Sequence, residues 1–381
     1  MPKFFLAPEG EVAKPTGGGE CGAGSAAPQK HDAFRGQSVV EERIKTARKV
    51  CVAPMMDWTD RHCRYFLRGL SPHALLYTEM ITAAAILRGD RERLLAFHPE
   101  EHPVALQLGG SEPEDLAKAA RIGEETGYDE INLNCGCPSD RVASGAFGAC
   151  LMLEPRKVAD CVAAMRAVVS IPVTVKMRVG VITATGKHTA RDAVANFTEA
   201  DFEALHGFVR AVQEGGCKVA IVHARKAVLG GLSPKDNREI PPLRYDVVKR
   251  LKQAFPGLPM IVNGGFRDVA SVREALSWSD GVMLGREAYH RPFVLAELER
   301  ALYPDAPPIP SREALLDRMA RYAQQALAKG DRLSAIARHM LGLYGGEPGA
   351  REYRRTLSEG ARSPEAGPEL FRQAIPAVRA L

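Results

Sequence analysis

The chain has no apolar run approaching the ~18 residues that a membrane span needs. No hydrophobic segment or cleavage signature follows the short apolar start at residues 1–6, so no secretory leader is expected. Cysteine is sparse, with eight in 381 residues and none in a Cys-x-x-Cys pair. That spacing excludes a disulfide scaffold and argues against a zinc ribbon, so no metal is expected and reduced thiols in a cytoplasm fit best. Apolar residues at 45% and charged residues at 25% leave no room for a fibrous or wholly disordered chain.

The net charge is only +5, but +4 of it falls from Ser311 onward, where twelve Lys/Arg face eight Asp/Glu. A basic segment on a near-neutral body suits a polyanionic partner, and it equally suits an ordinary solvated helical face. Residues 1–46 read as a flexible Gly/Ala/Pro-rich tail without apolar period. From there β-branched runs alternate with helical stretches. Strands are predicted at 50–54, 75–78, 104–108, 130–134, 173–178, 219–224, 260–263 and 281–284, reading as continuous apolar runs. Helices are predicted at 159–169 and 202–214, and one is expected to open at Ser111 as cap residue with Pro113 in its first turn.

Eight such units in ~250 residues match a TIM (β/α)8 barrel over 47–304. A doubly wound sheet is set aside because no Gly-x-Gly-x-x-Gly turn follows the first strand. A proline-rich linker then leads to a small C-terminal helical domain at 311–381, with helices over 312–328, capped by Ser311, and over 333–343. The final basic stretch from residue 348 continues helical.

In such a barrel the strand ends carry function. Six of them hold a polar or ionisable residue where packing alone favours Val or Ile, including Gln107, Asn134, Lys176, His223 and Asn263. Buried polar groups without partners cost free energy, so a ring of them points to a polar ligand at the mouth. Asn263-Gly264-Gly265 and Gly285-Arg286 end the last two strands. They read either as tight turns or as a phosphate cradle, the usual site in this barrel. A phosphorylated cofactor such as a flavin follows: Gln107 can bond the pyrimidine edge, Lys176 can meet charge at the N1–O2 edge, and His223 can donate, unless it is a satisfied core histidine. Cys137 sits in a Gly-Cys-Pro turn that favours a working thiol, a good proton donor near neutral pH, over a packing one. Cys135, two residues earlier, shares its face if the strand continues.

The segments Ala53-Pro-Met-Met-Asp-Trp-Thr-Asp, Leu133-Asn-Cys-Gly-Cys-Pro-Ser, Val222-His-Ala-Arg-Lys-Ala, Ser233-Pro-Lys-Asp-Asn-Arg-Glu-Ile-Pro-Pro, Asn263-Gly-Gly and Asp280-Gly-Val-Met-Leu-Gly-Arg closely resemble the tRNA-dihydrouridine synthases. The Ser-Pro-Lys-Asp-Asn-Arg block and Arg338-His-Met-Leu-Gly-Leu are similar to the A subfamily. The resemblance runs from about 47 to about 360. It implies FMN as cofactor, NADPH as reductant and tRNA as partner, with reduction of the uracil 5,6 double bond at D-loop position 20 and its neighbour. It implies that Pro54, Met55, Met56, Asp57, Gln107, Lys176 and His223 meet the flavin, and that Asn263, Gly264, Gly265, Gly285 and Arg286 hold its phosphate end. Cys137 matches the proton donor, and Asn134, Lys235, Arg238, Arg351 and Arg354 match positions that meet tRNA. A cytoplasmic enzyme without membrane attachment, monomeric, is expected. Three departures stand out: the long tail, a long 179–200 segment carrying Gly186-Lys-His-Thr, and Val228 where the motif has Trp.

Two other readings compete. An FMN barrel acting on a free pyrimidine such as dihydroorotate accounts for the barrel motifs but not for the basic helical domain. An RNA-binding protein on a retired barrel conflicts with the intact Cys137 and Lys176.

Overall fold

Residues 42–138, 147–183, 194–230 and 232–375 are described by the structure, a computed structural model. The expected tail up to residue 41 and the Gly186-Lys-His-Thr stretch lie outside the described residues. Residues 42–47 are helical and bury Ile44 and Ala47, mostly within the stretch expected as tail.

Among the described residues ten strands form: β1 (Val50–Val52), β2 (Leu75–Thr82), β3 (Val104–Gly109), β4 (Glu130–Cys135), β5 (Val173–Arg178), β6 (Val181–Thr183), β7 (Ala220–His223), β8 (Ala227–Leu229), β9 (Met260–Asn263) and β10 (Gly281–Leu284). Eight of them close a parallel barrel in the order β1-β10-β9-β7-β5-β4-β3-β2, and all eight are the predicted ones. The chain is therefore a TIM barrel with helices between its strands. The extra pair β6 and β8 makes a small parallel sheet of its own. Its three-residue strands are too short to announce themselves in sequence.

Alternation along each strand sorts the side chains. Outward residues such as Leu106, Ile131, Leu133 and Val175 join the large apolar layer under the helices. Inward residues Cys51, Ala53, Leu75, Tyr77, Ala105, Val219, Ile221, Ile261 and Met283 form a separate cluster in the lumen. β4 and β5 depart from the expected continuous apolar runs. Glu130, Asn132 and Asn134 on one, and Thr174, Lys176 and Arg178 on the other, alternate with apolar residues and face the lumen side. A barrel interior can carry polar groups on one face of a strand if they bond one another.

Several helix starts follow their cap chemistry. Ser311 Oγ accepts from Ala314 N–H at 3.1 Å and opens Arg312–Ala328 as predicted. Pro113–Thr126 instead begins after Glu112 without a side-chain cap, because Pro113 already removes one orphan donor and Ser111 stands one residue too early. The predicted helices at 159–169 and 202–214 are Pro155–Arg166 and Glu199–Glu214. The predicted 333–343 helix stops at Ala337 and passes into a 3-10 turn, Arg338–Met340. There Arg338 and His339 both turn to Asp60 on the barrel, at 2.8 and 3.0 Å. A Cβ on Gly342 would lie 2.4 Å from the His290 carbonyl, so the chain crosses the barrel too closely for a regular helix with side chains.

The C-terminal helices pack tightly on the barrel. Tyr322 stacks on Tyr65 with centroids 4.1 Å apart and shares a 2.7 Å hydrogen bond with His62 Nδ1. Such an aromatic pair adds ~0.5–1.5 kcal/mol beyond its buried area. Arg61 pairs with Asp331 and Arg318 with Glu100. No helix among the described residues is long and apolar enough to cross a membrane.

Candidate active site at the barrel mouth

The barrel register brings the polar strand ends together. Gln107 pairs with Asn132, Asn134 with Lys176, Arg178 with His223, and His223 with Asn263. A cavity of about 740 Å³ opens at this mouth. That is ample for a ligand of cofactor size, since such pockets run ~300–1,000 Å³. Its wall includes every residue expected at the flavin except Asp57, together with Cys137, Asn134 and Arg238. Asp57 is exposed and occupies a left-handed turn at φ 64°, where its N–H donates to Glu79. An Asp tolerates that conformation, and the turn directs its side chain elsewhere. Lys235, Arg351 and Arg354 are exposed and also stand outside the wall.

β4 ends at Cys135, whose thiol is fully buried in the outer apolar layer. The two cysteines do not share a face, because Gly136 ends the strand and Cys137 swings to the cavity. Asn134 holds this turn: its Oδ1 accepts from Gly136 N–H at 3.1 Å and from Cys137 N–H at 3.0 Å. Arg178 Nε donates to the Gly136 carbonyl at 3.1 Å from the other side. The thiol is thus placed by three hydrogen bonds to its own backbone turn.

Positive charge dominates the wall. Lys176, Arg178, Arg225, Arg238 and Arg286 converge on it. Among the described residues no carboxylate pairs with Lys176 or Arg178, whereas Arg286 pairs with Glu239 at 2.9 Å. Burial, aided by the neighbouring Arg178, lowers Lys176 to about 7. Burial lowers Arg178 to about 9, against the pull of Cys137. Burial, then Arg178 and Lys176, push His223 well below its ordinary value, so the imidazole is neutral at pH 7. Cations that lose hydration without gaining an acid are poised for an anionic ligand.

Two further features suit a phosphate. Gly264 and Gly265 have φ of 119° and 84°, and a Cβ on Gly264 would come within 3.0 Å of His223. Only glycine permits that backbone beside the imidazole. Gly264, Gly265 and Arg286 could hold an anionic group of a cofactor, and Lys176 and Gln107 the polar edge of its ring.

Sequence reasoning left Arg178, Arg225 and Trp58 out of the site. The alternation Lys176-x-Arg178 on one strand marks Arg178 as inward, a signal that was there to be used. Trp58 stacks on Tyr289 at 4.5 Å with planes 11° apart and meets His290 edge-on, making an aromatic wall at the rim. That pairing spans more than 200 residues and has no local signature.

The profile of the family described as dihydrouridine synthase (Dus) matches residues 51–378. The chain belongs to that family. Dihydrouridine synthases are flavin-dependent oxidoreductases, so the protein is an enzyme of this kind. The chain is 54% identical over 328 residues to a Synechocystis protein named tRNA-dihydrouridine(20/20a) synthase, covering 86% of this chain and 94% of that one. Proteins of the same name from Xanthomonas axonopodis and Vibrio parahaemolyticus are 52% and 51% identical, covering 88% and 86% of this chain and 95% and 96% of their own. Val228, on β8 of the small sheet, is fully buried with Val194 and Leu232, outside the cavity wall.

Proposed function

We propose that the chain is a tRNA-dihydrouridine synthase of the A type, reducing the uracil 5,6 double bond at D-loop position 20 and its neighbour. The observation that carries this reading is the Cys137 thiol held over a cavity walled by Lys176 and Arg178, which meet no carboxylate among the described residues. FMN, reduced by NADPH, supplies when bound the hydride that goes to C6. Lys176 is the cation for negative charge on the ring, and neutral His223 is a donor beside it. Gly264, Gly265, Gly285 and Arg286 hold the phosphate, with Arg286 exchanging Glu239 for it. Cys137 gives its proton to C5 of the uracil. The target base must leave its stack to enter the cavity, and the Trp58 ring offers it a flat surface at the entrance. Asn134 and Arg238 line the same entrance and are our candidates for contact with the target nucleotide. Lys235, Arg351 and Arg354 lie outside it, as phosphate contacts do when they position an RNA without reading bases. The domains are a catalytic barrel at 47–304 and a tRNA-binding helical segment at 311–381. The enzyme works as a cytoplasmic monomer, where its substrate is.

The test combines flavin and substrate. Protein purified with FMN and given NADPH is incubated with tRNA lacking modification, and with free uracil and orotate. Dihydrouridine by mass spectrometry at position 20 and its neighbour is the expected result. Reduction of orotate with tRNA untouched would move the enzyme to free pyrimidines.

A further inference from the structure

The lumen beneath the cavity holds polar side chains to which the proposed chemistry gives no task. Glu130, Thr174 and Asn132 are fully buried there. At the base, Arg48 Nε and Nη2 donate to Glu130 Oε2 at 3.0 and 2.7 Å, while the Tyr77 and Thr174 hydroxyls donate to Oε1 at 2.7 and 2.6 Å. Above them Asn132 Nδ2 donates to Thr174 Oγ1 at 2.8 Å, and Gln107 Nε2 donates to Asn132 Oδ1 at 2.7 Å. Asn134 Nδ2 then donates to Gln107 Oε1 at 2.8 Å, and Asn134 Oδ1 accepts the two N–H groups of the Cys137 turn. The result is one unbroken run of hydrogen bonds from the barrel base to the thiol loop.

Each link runs in only one direction. A carboxylate whose oxygens each accept two donors has nothing to donate, so Thr174 turns its single proton to Glu130. Its oxygen is then left to accept from an amide nitrogen. The Ile131 carbonyl, 3.4 Å from the same hydroxyl, is the poorer acceptor. From the top, backbone N–H groups can only donate, so Asn134 must face them with its oxygen and face Gln107 with its nitrogen. The two arguments start at opposite ends and meet at Asn132 with the same polarity. Flipping any one amide would set donor against donor and acceptor against acceptor inside the lumen.

We propose that Glu130 and Thr174 are positioning residues: the carboxylate at the barrel base fixes, through Asn132, which atoms Gln107 and Asn134 turn to the flavin ring and to the Cys137 turn. The proposal rests on the flavin reading of the cavity. Gln107 Nε2 spends one hydrogen on Asn132 and keeps the other, so this polarity makes it a donor to the acceptor-rich pyrimidine edge of the ring. The same polarity gives Asn134 the oxygen that pins the thiol turn.

Thr174→Val tests this, since it keeps the side-chain shape and cuts the run. Thr174→Ser restores the hydroxyl. Tyr77→Phe removes a different hydrogen bond from the same carboxylate and reports what simple loss of a buried bond does. Two readouts use protein without turnover: the FMN dissociation constant from quenching of flavin fluorescence, and hydrogen exchange at the Gly136 and Cys137 amides. Thr174→Val is expected to raise the dissociation constant and speed the exchange by roughly tenfold each, the scale of one lost polar contact. Thr174→Ser and Tyr77→Phe should stay within about twofold of the wild type on the same scale. Wild-type values in Thr174→Val, or equal changes in Tyr77→Phe, would overturn the proposal. If Thr174→Val does not fold, Thr174→Cys, with a weak donor in nearly the same volume, takes its place under the same criteria. A wild-type protein that binds no FMN would sink the flavin reading, while the exchange rates would still judge the run of bonds.

Discussion

At the scale of single residues, Cys137 and Lys176 bear on the stability of the fold in opposite ways. The thiol sits at the cavity edge and costs the fold little, so Cys137→Ala should bind FMN and accept electrons from NADPH normally. Reoxidation of the reduced enzyme by tRNA should slow by ~10²–10⁴, the usual worth of a general acid. Cys135→Ala, fully buried away from the cavity, should lower stability and leave that rate nearly unchanged. Stopped-flow reoxidation of both variants checks this, and equal rates for wild type and Cys137→Ala would remove the thiol from the mechanism. Lys176 carries its charge at a loss until an anion arrives. Its pKa in the folded protein, about 7, lies below the ordinary lysine value. Between the two the unfolded chain therefore binds more protons, and this group's contribution to stability rises with pH across that window. Lys176→Met should melt higher than wild type at pH 7 when both lack FMN, with the gap closing as pH rises toward the ordinary lysine range. The same variant should hold FMN poorly and be reduced slowly. A lower melting temperature at pH 7 would mean that the lysine already has a partner.

The elements were mostly legible. All eight barrel strands fall where β-branched runs stand between turn signals, and Ser311 caps the helix its position announces. What stayed hidden needs partners far along the chain. The 3-10 turn at Arg338–Met340 exists because Asp60, nearly 280 residues earlier, captures Arg338 and His339. Burial opposes ionisation of Asp60, yet His339 and Arg338 hold its carboxyl well below the usual range. The cavity wall was legible from strand ends, while its aromatic rim was not, since Trp58 meets Tyr289 only in three dimensions. The helix Ala350–Gly360 has two unlike faces. It buries Tyr353 and Leu357 and leaves Arg351, Arg354 and Arg355 exposed. If that face meets phosphates, Arg351→Glu with Arg354→Glu should weaken tRNA binding and flatten its salt dependence by about one unit of slope per lost contact. Filter binding at several salt concentrations measures both, and an unchanged slope would mean an ordinary solvated face.

At the scale of the molecule, residues from Arg43 onward form one compact unit. A proline-rich linker before residue 311 suggests a module that could be removed, but the packing argues otherwise. Leu315, Leu316 and Met319 are buried at or below 1% exposure, and Tyr322 covers Tyr65 and His62. Each such apolar side chain is worth ~1.5–3 kcal/mol when buried. Deleting 311–381 should therefore lower the melting temperature of the barrel as well as tRNA affinity, and a truncated barrel melting with the full chain would show the two to be separable. The bonded column in the lumen bears on a different question, how freely such a barrel can be recombined. Thr174 on β5 receives from Asn132 and gives to Glu130, both on β4. A chimera that joins the first four strands of this chain to the second half of another (β/α)8 protein meets at that seam. Matching apolar volumes across it will not suffice: unless the incoming strand brings a hydroxyl to that one position, the graft inherits an intact cavity whose column of amides is pinned at the Cys137 turn alone and has lost its anchor at the base.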